Sequence, residues 1–402
     1  MGVYKLLDVN ISDNRTHSVL SLFSGGGLLD LGFINQGFQI EKALEINKSF
    51  IEGYNYAMKD YFSNTSNFFV SQKLVYHKDI KEQVDASNQE IQKEIGNTYQ
   101  GITGIIGGPP CQDYSVGGKN EGIKGERGKL ILSYLNFVKS VRPAFLFFEN
   151  VAGLYRTKEH RKGFTYLIEN LKKNGYELWF DILNPLEYGI PQDRPRIIVV
   201  GFRKEIVSKL LGAGFSLSHD NQKLKNTNSE ELIFKWPKVL FHDPKNSIDW
   251  PNRWGFMGQE MEEEISKIPD KYKVLQVSRA FSGLTELTPN QKEFFKPKSE
   301  KFWVIEEGDT FRKSFKRLHR YRFSPTVAYG NNEVHLHPTE ARRLTVREAL
   351  RLQSVPDEYI LPSNLTLTSK FKIISNGVPT KQAELIALEI RKTLYKYSLV
   401  DS

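Results

Sequence analysis

Cysteine is the scarcest chemistry-bearing residue in this sequence: 402 residues carry one, Cys111. A single thiol excludes an intramolecular disulfide and any zinc site built on several cysteines, and a reducing cytosol is the compartment that suits such usage. Long apolar runs are missing as well. No uninterrupted hydrophobic stretch approaches the ~20 residues that cross a bilayer, and Met1 to Asp8 lacks the apolar core of a secretory signal. There is no internal repeat and no low-complexity tract. Charge is unbalanced: 56 lysines and arginines against 47 acidic residues give +9. That excess favours a polyanionic partner but bears on association rather than on fold.

Strands and helices alternate clearly in the first half. Apolar, β-branched or aromatic runs at 18–23, 40–46, 75–80, 102–106, 145–148, 176–182 and 197–202 read as strands, and helical stretches fall at 47–62, 130–141 and 160–174. This pattern predicts an α/β fold with a mostly parallel sheet covered on both faces. Between 205 and 323 the alternation stops, leaving scattered tryptophans, prolines and an acidic run, which predicts a second, irregular domain inserted in the first. The expected divisions are 1–204, 205–323 and 324–402. Near the end of the insert, residues 312–322 interleave cations with aromatics, a solvated face or a set of phosphate contacts. Thr345 and Glu348 form a capping box that opens a helix, and a last helix is expected over 380–395.

Several strand ends carry chemistry. The first strand leads into Ser24-Gly25-Gly26-Gly27, a turn that lets a ligand approach the backbone closely, although tight turns need glycine for steric reasons alone. Glu45 at the end of the second strand is either a solvated carboxylate or an acceptor for two ribose hydroxyls, and Asp79 is a second candidate for a nucleoside. Gly107-Gly108-Pro109-Pro110-Cys111-Gln112 follows a buried strand, and two prolines stiffen the chain just before the sulfur. Cys111 is therefore placed either as a nucleophile or as a small buried hydrophobe. Glu149, at the mouth of the strand 145–148, is a candidate acid or base. The segment 112–128 is rich in glycine and charge and has little to bury, so it reads as a mobile loop whose Lys119 and Lys124 either meet phosphates or stay solvated.

Taken in order, these blocks resemble the DNA cytosine-5 methyltransferases. The matching residues are Phe23 to Gly27, Glu45, Asp79, Pro109-Pro110-Cys111-Gln112, Glu149-Asn150-Val151, Gln192-Asp193-Arg194-Pro195-Arg196, Leu344 to Gln353 with Pro356-Asp357, and Asn376-Gly377-Val378-Pro379. The variable stretch falls between the arginine block and Leu344, as in that family. Three positions depart from its pattern: Leu28 and Ser375 stand where glycines are usual, and Tyr114 replaces a phenylalanine.

The resemblance implies a Rossmann-like S-adenosylmethionine-dependent methyltransferase fold, with 205–323 as a target-recognition domain. It implies that Cys111 adds to C6 of a cytosine flipped out of duplex DNA, with Glu149 on N3 and the amine, and Arg196 supported by Arg194 on the base oxygen and backbone. The cofactor would be lined by Phe23, Ser24, Gly25, Gly26, Gly27, Glu45, Ile46, Asp79, Ile80, Gly108, Pro110, Leu130, Asn376 and Val378. DNA contacts would fall to Gln112, Ser115, Lys119, Lys124, Arg127 and Gln192, the last also ordering its turn, and 112–128 would be the lid over the base. It further implies a cytoplasmic enzyme acting as a monomer on DNA, of the compact prokaryotic restriction-modification type, with a cognate endonuclease acting separately. A tRNA cytosine-5 methyltransferase, an inactive DNA-binding homologue and a dinucleotide-binding oxidoreductase are the competing readings.

Overall fold

The structure, a computed structural model, describes residues 16–64, 75–77, 89–110, 126–218, 231–329 and 334–401. Its first half runs β1 (His17–Leu22), α1 (Leu28–Ile34), β2 (Phe38–Glu45), α2 (Lys48–Asn64), β3 (Val75–His77), α3 (Gln89–Thr98), β4 (Gly104–Gly107), α4 (Glu126–Val141) and β5 (Phe145–Val151). There follow α5 (Gly153–Arg156), α6 (Lys158–Lys173), β6 (Tyr176–Leu183), the two-residue β7 (Gln192–Asp193), β8 (Arg196–Arg203) and α7 (Lys204–Gly212). Seven strands form one sheet in the order β3-β2-β1-β4-β5-β8-β6. All neighbours are parallel except β8, which runs antiparallel to both β5 and β6.

The period-two pattern of the central strands builds two cores. Phe145 and Phe147 join one apolar cluster, with Val19, Ile106 and Val200, while Leu146 and Phe148 join the cluster on the opposite face with Leu20, Ile105 and Val199. Both faces being covered explains why β4 and β5 read as unbroken apolar runs. The C-terminal part returns to this sheet. Of α11 (Val346–Leu352), α12 (Leu367–Asn376) and α13 (Thr380–Val400), the last packs on α1 and α7. Gly32 permits that approach: a Cβ there would lie 2.6 Å from the Ala383 Cβ. The expected capping box is present, with the Glu348 N–H donating to Thr345 Oγ1 at 3.1 Å and the Thr345 N–H to Glu348 Oε2 at 2.9 Å.

The region between α7 and α11 has short elements only: α8 (Glu262–Ser266), α9 (Val277–Phe281), α10 (Lys301–Val304) and the two-residue strands β9 (Lys316–Arg317), β10 (Ser324–Pro325) and β11 (His335–Leu336). Its residues build small clusters, Phe241, Ile268, Tyr272 and Leu275 packing with Leu186 of the first half, and Phe302, Ile305 and Leu336 with one another. The helix α7 that leads into it, and Ile233 within it, pack in the large core. Ile206, Val207, Leu210 and Ile233 lie in the main cluster, and Thr393 Oγ1 donates to the Ile233 carbonyl at 2.7 Å.

The cationic run 312–322 is largely engaged inside the protein. Arg317 is fully buried and donates to the carbonyls of Phe302, Ile305, His337 and Glu340. Arg320 pairs with Glu307 at 3.0 Å and with Glu260 at 2.6 Å. These guanidiniums brace an irregular backbone whose carbonyls have no strand or helix to satisfy them, and so they are not the phosphate contacts considered from sequence.

Candidate functional site

A cleft of about 660 Å³ opens where β1, β2, β4 and β5 end. Ligands bind at this edge of open α/β sheets because the strand ends deliver loops there. The first wall is the turn after β1. Phe23 holds a positive φ of 57°, Gly25 one of 59° and Gly27 one of 86°. A side-chain residue kept in the left-handed region is strained, and such strain persists where the surroundings over-determine it. Gly26 is clamped from behind, since Tyr359 Oη donates to its carbonyl at 2.6 Å and a Cβ there would meet Ile373 Cγ2 at 2.2 Å.

Glu45 is fixed by backbone donors. The Gly25 N–H donates to Oε2 at 2.9 Å, and those of Ile46 and Asn47 donate to Oε1 at 2.9 and 2.8 Å. A carboxylate accepts about four hydrogen bonds, so one site remains on Oε2 beside the cleft. Ile46 lines the same wall. Asn47 also caps α2 through Oδ1, which accepts from the Ser49 and Phe50 N–H groups.

The second wall comes from β4 and β5. Asn150 Nδ2 donates to the Pro109 carbonyl at 3.0 Å, which ties the Pro109-Pro110 segment to β5. Gly108 sits against the acidic group: a Cβ there would fall 2.8 Å from Glu149 Oε2. In the β5–β8 register Glu149 faces Ile198, so Arg196, two residues along, shares its face as a diagonal neighbour. Arg196 Nε lies 3.0 Å from Glu149 Oε1, with both side chains mostly buried. Residues Lys372, Ser375, Asn376, Gly377 and Val378 close the cleft from α12 and the loop after it.

The cleft thus gathers Phe23, Ser24, Gly25, Gly26, Glu45, Ile46, Gly108, Pro110, Leu130, Glu149, Arg194, Arg196, Asn376 and Val378 of the expected set. Gly27 is turned away from it, packed on Tyr54 and Met58. Asp79, Ile80, Cys111, Gln112, Ser115, Lys119 and Lys124 lie outside the described residues, as does the side chain of Arg127. Pro110, the last described residue before Cys111, is on the cleft wall.

Two of the expected side chains are engaged inside the protein. Arg194 is 2% exposed, and its guanidinium donates to the carbonyls of Val327 (3.0 Å), Ser375 (2.8 Å) and Gly377 (3.0 Å). It is a strut joining the turn after β7 to the C-terminal wall. Burial, and then the Arg196 charge, push its pKa well below the usual arginine value, against a smaller opposite pull from Glu149. Gln192 is fully enclosed. Its Nε2 donates to the Leu352 carbonyl and Gln353 Oε1, and its Oε1 accepts from the Val327 N–H. That amide orders the turn and leaves nothing to offer DNA.

Sequence reasoning missed Leu29, Leu44, Asn47, Phe50, Val151, Lys372, Ser375 and Gly377 as lining residues. Lys372 had a usable signal, being a cation shortly before the Asn376-Gly377-Val378-Pro379 block, and Val151, Ser375 and Gly377 stood in or beside the blocks that carry the resemblance. Leu28, which departs from the family glycine, is buried against Gly377: a Cβ on that glycine would lie 2.4 Å from Leu28 Cδ2.

A sheet of this order with one antiparallel strand, and a glycine turn and strand-end carboxylate facing one cleft, define a Rossmann-like methyltransferase. The C-5 cytosine-specific DNA methylase family model matches residues 17–392, and the chain belongs to that family. It is accordingly a DNA cytosine-5 methyltransferase. The chain is 39% identical to the Type II methyltransferase M.NmeDI of Neisseria meningitidis serogroup C, over 96% of this chain and 87% of that protein. In fold it is similar to a prophage-encoded E. coli protein (22% identity, TM-score 0.61, covering 94% of this chain and 99% of that one). It is similar also to the S. pombe Dnmt2 methyltransferase (16% identity, TM-score 0.57, covering 94% and 99%).

Proposed function

We propose that the protein methylates C5 of a cytosine within a specific duplex DNA sequence, using S-adenosylmethionine, through a transient bond between Cys111 and C6 of a flipped-out base. The observation that carries this reading is the Glu149–Arg196 pair, held 3.0 Å apart on the wall that ends in Pro109-Pro110. An acceptor and a donor so placed match the amine and oxygen edge of a cytosine, and a base can reach them only after leaving its stack. The residues around the glycine turn fit the cofactor. Gly25 opens onto space free of other atoms within 4 Å of a built Cβ, and Glu45 keeps an acceptor site for a ribose hydroxyl.

C5 of cytosine is a poor nucleophile. Addition of the Cys111 thiolate to C6 makes C5 enamine-like as the Glu149 carboxyl passes its proton to N3, where the negative charge would otherwise develop, and accepts a hydrogen bond from the amine. Arg196 holds the base oxygen, and its contact with Glu149 keeps that carboxylate aimed. S-adenosylmethionine, when bound, supplies a methyl group on positively charged sulfur that C5 can accept. Loss of the C5 proton to water and return of the N3 proton to Glu149 then let the C6–S bond break, which restores the aromatic ring and the free thiolate.

The irregular region within 205–323 would read the target sequence, and the enzyme would work in the cytoplasm as a monomer on DNA, its cognate endonuclease acting separately. The Type II names of relatives such as M.NmeDI support a place in a restriction-modification system. The test is trapping with a duplex carrying 5-fluorocytosine, whose fluorine cannot leave as the proton does. Wild type should give an adduct that survives denaturation. Cys111→Ser should give none and no methyl transfer, while retaining S-adenosylhomocysteine binding. Methyl transfer by the serine variant at the wild-type rate would refute the covalent route, and preferential labelling of tRNA over duplex DNA would refute the substrate.

A further inference from the structure

Among its described lining residues the cleft has three cations, Arg194, Arg196 and Lys372. Arg194 is closed on three carbonyls and Arg196 on Glu149. Lys372 is exposed and forms no ion pair with any described residue. The next residue in the chain fixes where it stands. The Ile373 side chain packs on Gly26, its Cγ2 2.2 Å from where a Cβ would be, and Lys372 lines the same cleft as that turn. The nucleoside end of the cleft is marked separately by Glu45, with its three amide donors.

A methyl donor built from a nucleoside and an amino acid carries a sulfonium cation, an ammonium group and one anion, its α-carboxylate. An unpaired lysine in a cleft that must admit a sulfonium works against binding by like-charge repulsion unless it meets that carboxylate. The flexible stem of lysine also lets Nζ follow such a group with three donors. From the charge accounting and the glycine-turn position together, we infer that Lys372 binds the α-carboxylate of the methyl donor. This rests on the reading of the cleft as the donor site.

Calorimetric titration of the full chain with S-adenosylhomocysteine, and with its decarboxylated thioether analogue, tests the assignment without turnover. Wild type should prefer the carboxylated ligand. Lys372→Ala should bind S-adenosylhomocysteine about tenfold more weakly, the scale of one partly exposed charge-assisted hydrogen bond, and bind the analogue as wild type does. Lys372→Arg should recover most of the loss. Equal weakening toward both ligands, or unchanged affinity for S-adenosylhomocysteine, overturns the inference. So does a loss of duplex affinity with cofactor affinity intact, which would assign Lys372 to DNA phosphate. A wild type that binds neither ligand refutes the donor site itself, and this inference with it.

Discussion

At Gly108 a missing side chain decides the geometry of a charged one. A Cβ there would fall 2.8 Å from Glu149 Oε2 and 3.1 Å from the Glu149 carbonyl, so Gly108→Ala must displace the carboxylate that pairs with Arg196. A shift of about 1 Å at a reacting group costs on the order of 100-fold in rate. We expect methyl transfer by Gly108→Ala to fall between about 10- and 100-fold, more than S-adenosylhomocysteine affinity does. A variant of full activity would mean that Glu149 tolerates displacement. Asp30 makes a different prediction. It is fully buried behind the glycine turn, accepting from Ser21 Oγ at 2.7 Å and Tyr54 Oη at 2.8 Å. Burial raises its carboxyl from 3.8 to about 6, against a smaller lowering by those two hydrogen bonds. A carboxyl whose pKa is higher in the folded state contributes stability below about pH 4, and loses it as pH rises through about 6. Asp30→Asn removes that titration. Between pH 4.5 and 7.5 the variant should lose less stability than wild type, by roughly 1–3 kcal/mol. Parallel urea denaturation curves at the two pH values would contradict this.

At the scale of elements, the turn after β7 is stitched to α11, α12 and the C-terminal wall by buried polar side chains rather than by a sheet. Arg194 supplies three of those hydrogen bonds and Gln192 three more. Arg194→Ala removes three hydrogen bonds at once, leaving the Gly377 carbonyl only its longer bond from Gln353 Nε2, and should cost about 3 kcal/mol or more in a denaturation experiment. It should also weaken cofactor binding, because Ser375 and Gly377 line the cleft. An effect on turnover alone would restore Arg194 to direct catalysis. The sheet that carries these pieces was legible because β4, β5 and β8 are short apolar runs with few alternative uses. The capping box at Thr345 was legible for a local reason, since two side chains and two amides suffice for it. The helices α3, α7 and α12 escaped notice. Lys370 of α12 is wholly buried against Glu293, a pairing that tertiary contact creates and that no period announces. The cleft was legible at Glu45, Gly108, Glu149 and Arg196, where chemistry demands one residue type. It was illegible at Arg194, where an arginine that looked catalytic satisfies carbonyls contributed by residues more than 130 positions away.

For the whole molecule, the question is which of its 56 cations meet DNA. The run 312–322 looked suited to phosphates, but Arg317 is buried on carbonyls and Arg320 is held by Glu307 and Glu260. A cation already paired releases no counterion when DNA binds, so removing it leaves the salt slope of binding unchanged. Arg320→Ala should therefore lower the denaturation midpoint while the slope of log affinity against log salt stays at the wild-type value. Lys119 and Lys124 carry the opposite expectation. They lie in the sequence segment 112–128, which carries five glycines, and our proposal is that they meet phosphates. Replacing both with alanine should reduce the magnitude of the slope by up to about 2, at roughly 0.9 for each phosphate no longer neutralised, while S-adenosylhomocysteine affinity and the denaturation midpoint hold. Duplex titrations at several salt concentrations on the three proteins decide the matter. A slope that falls in Arg320→Ala and holds in the double lysine variant would reverse the assignment, placing the phosphate contacts on the small domain rather than beside the nucleophile.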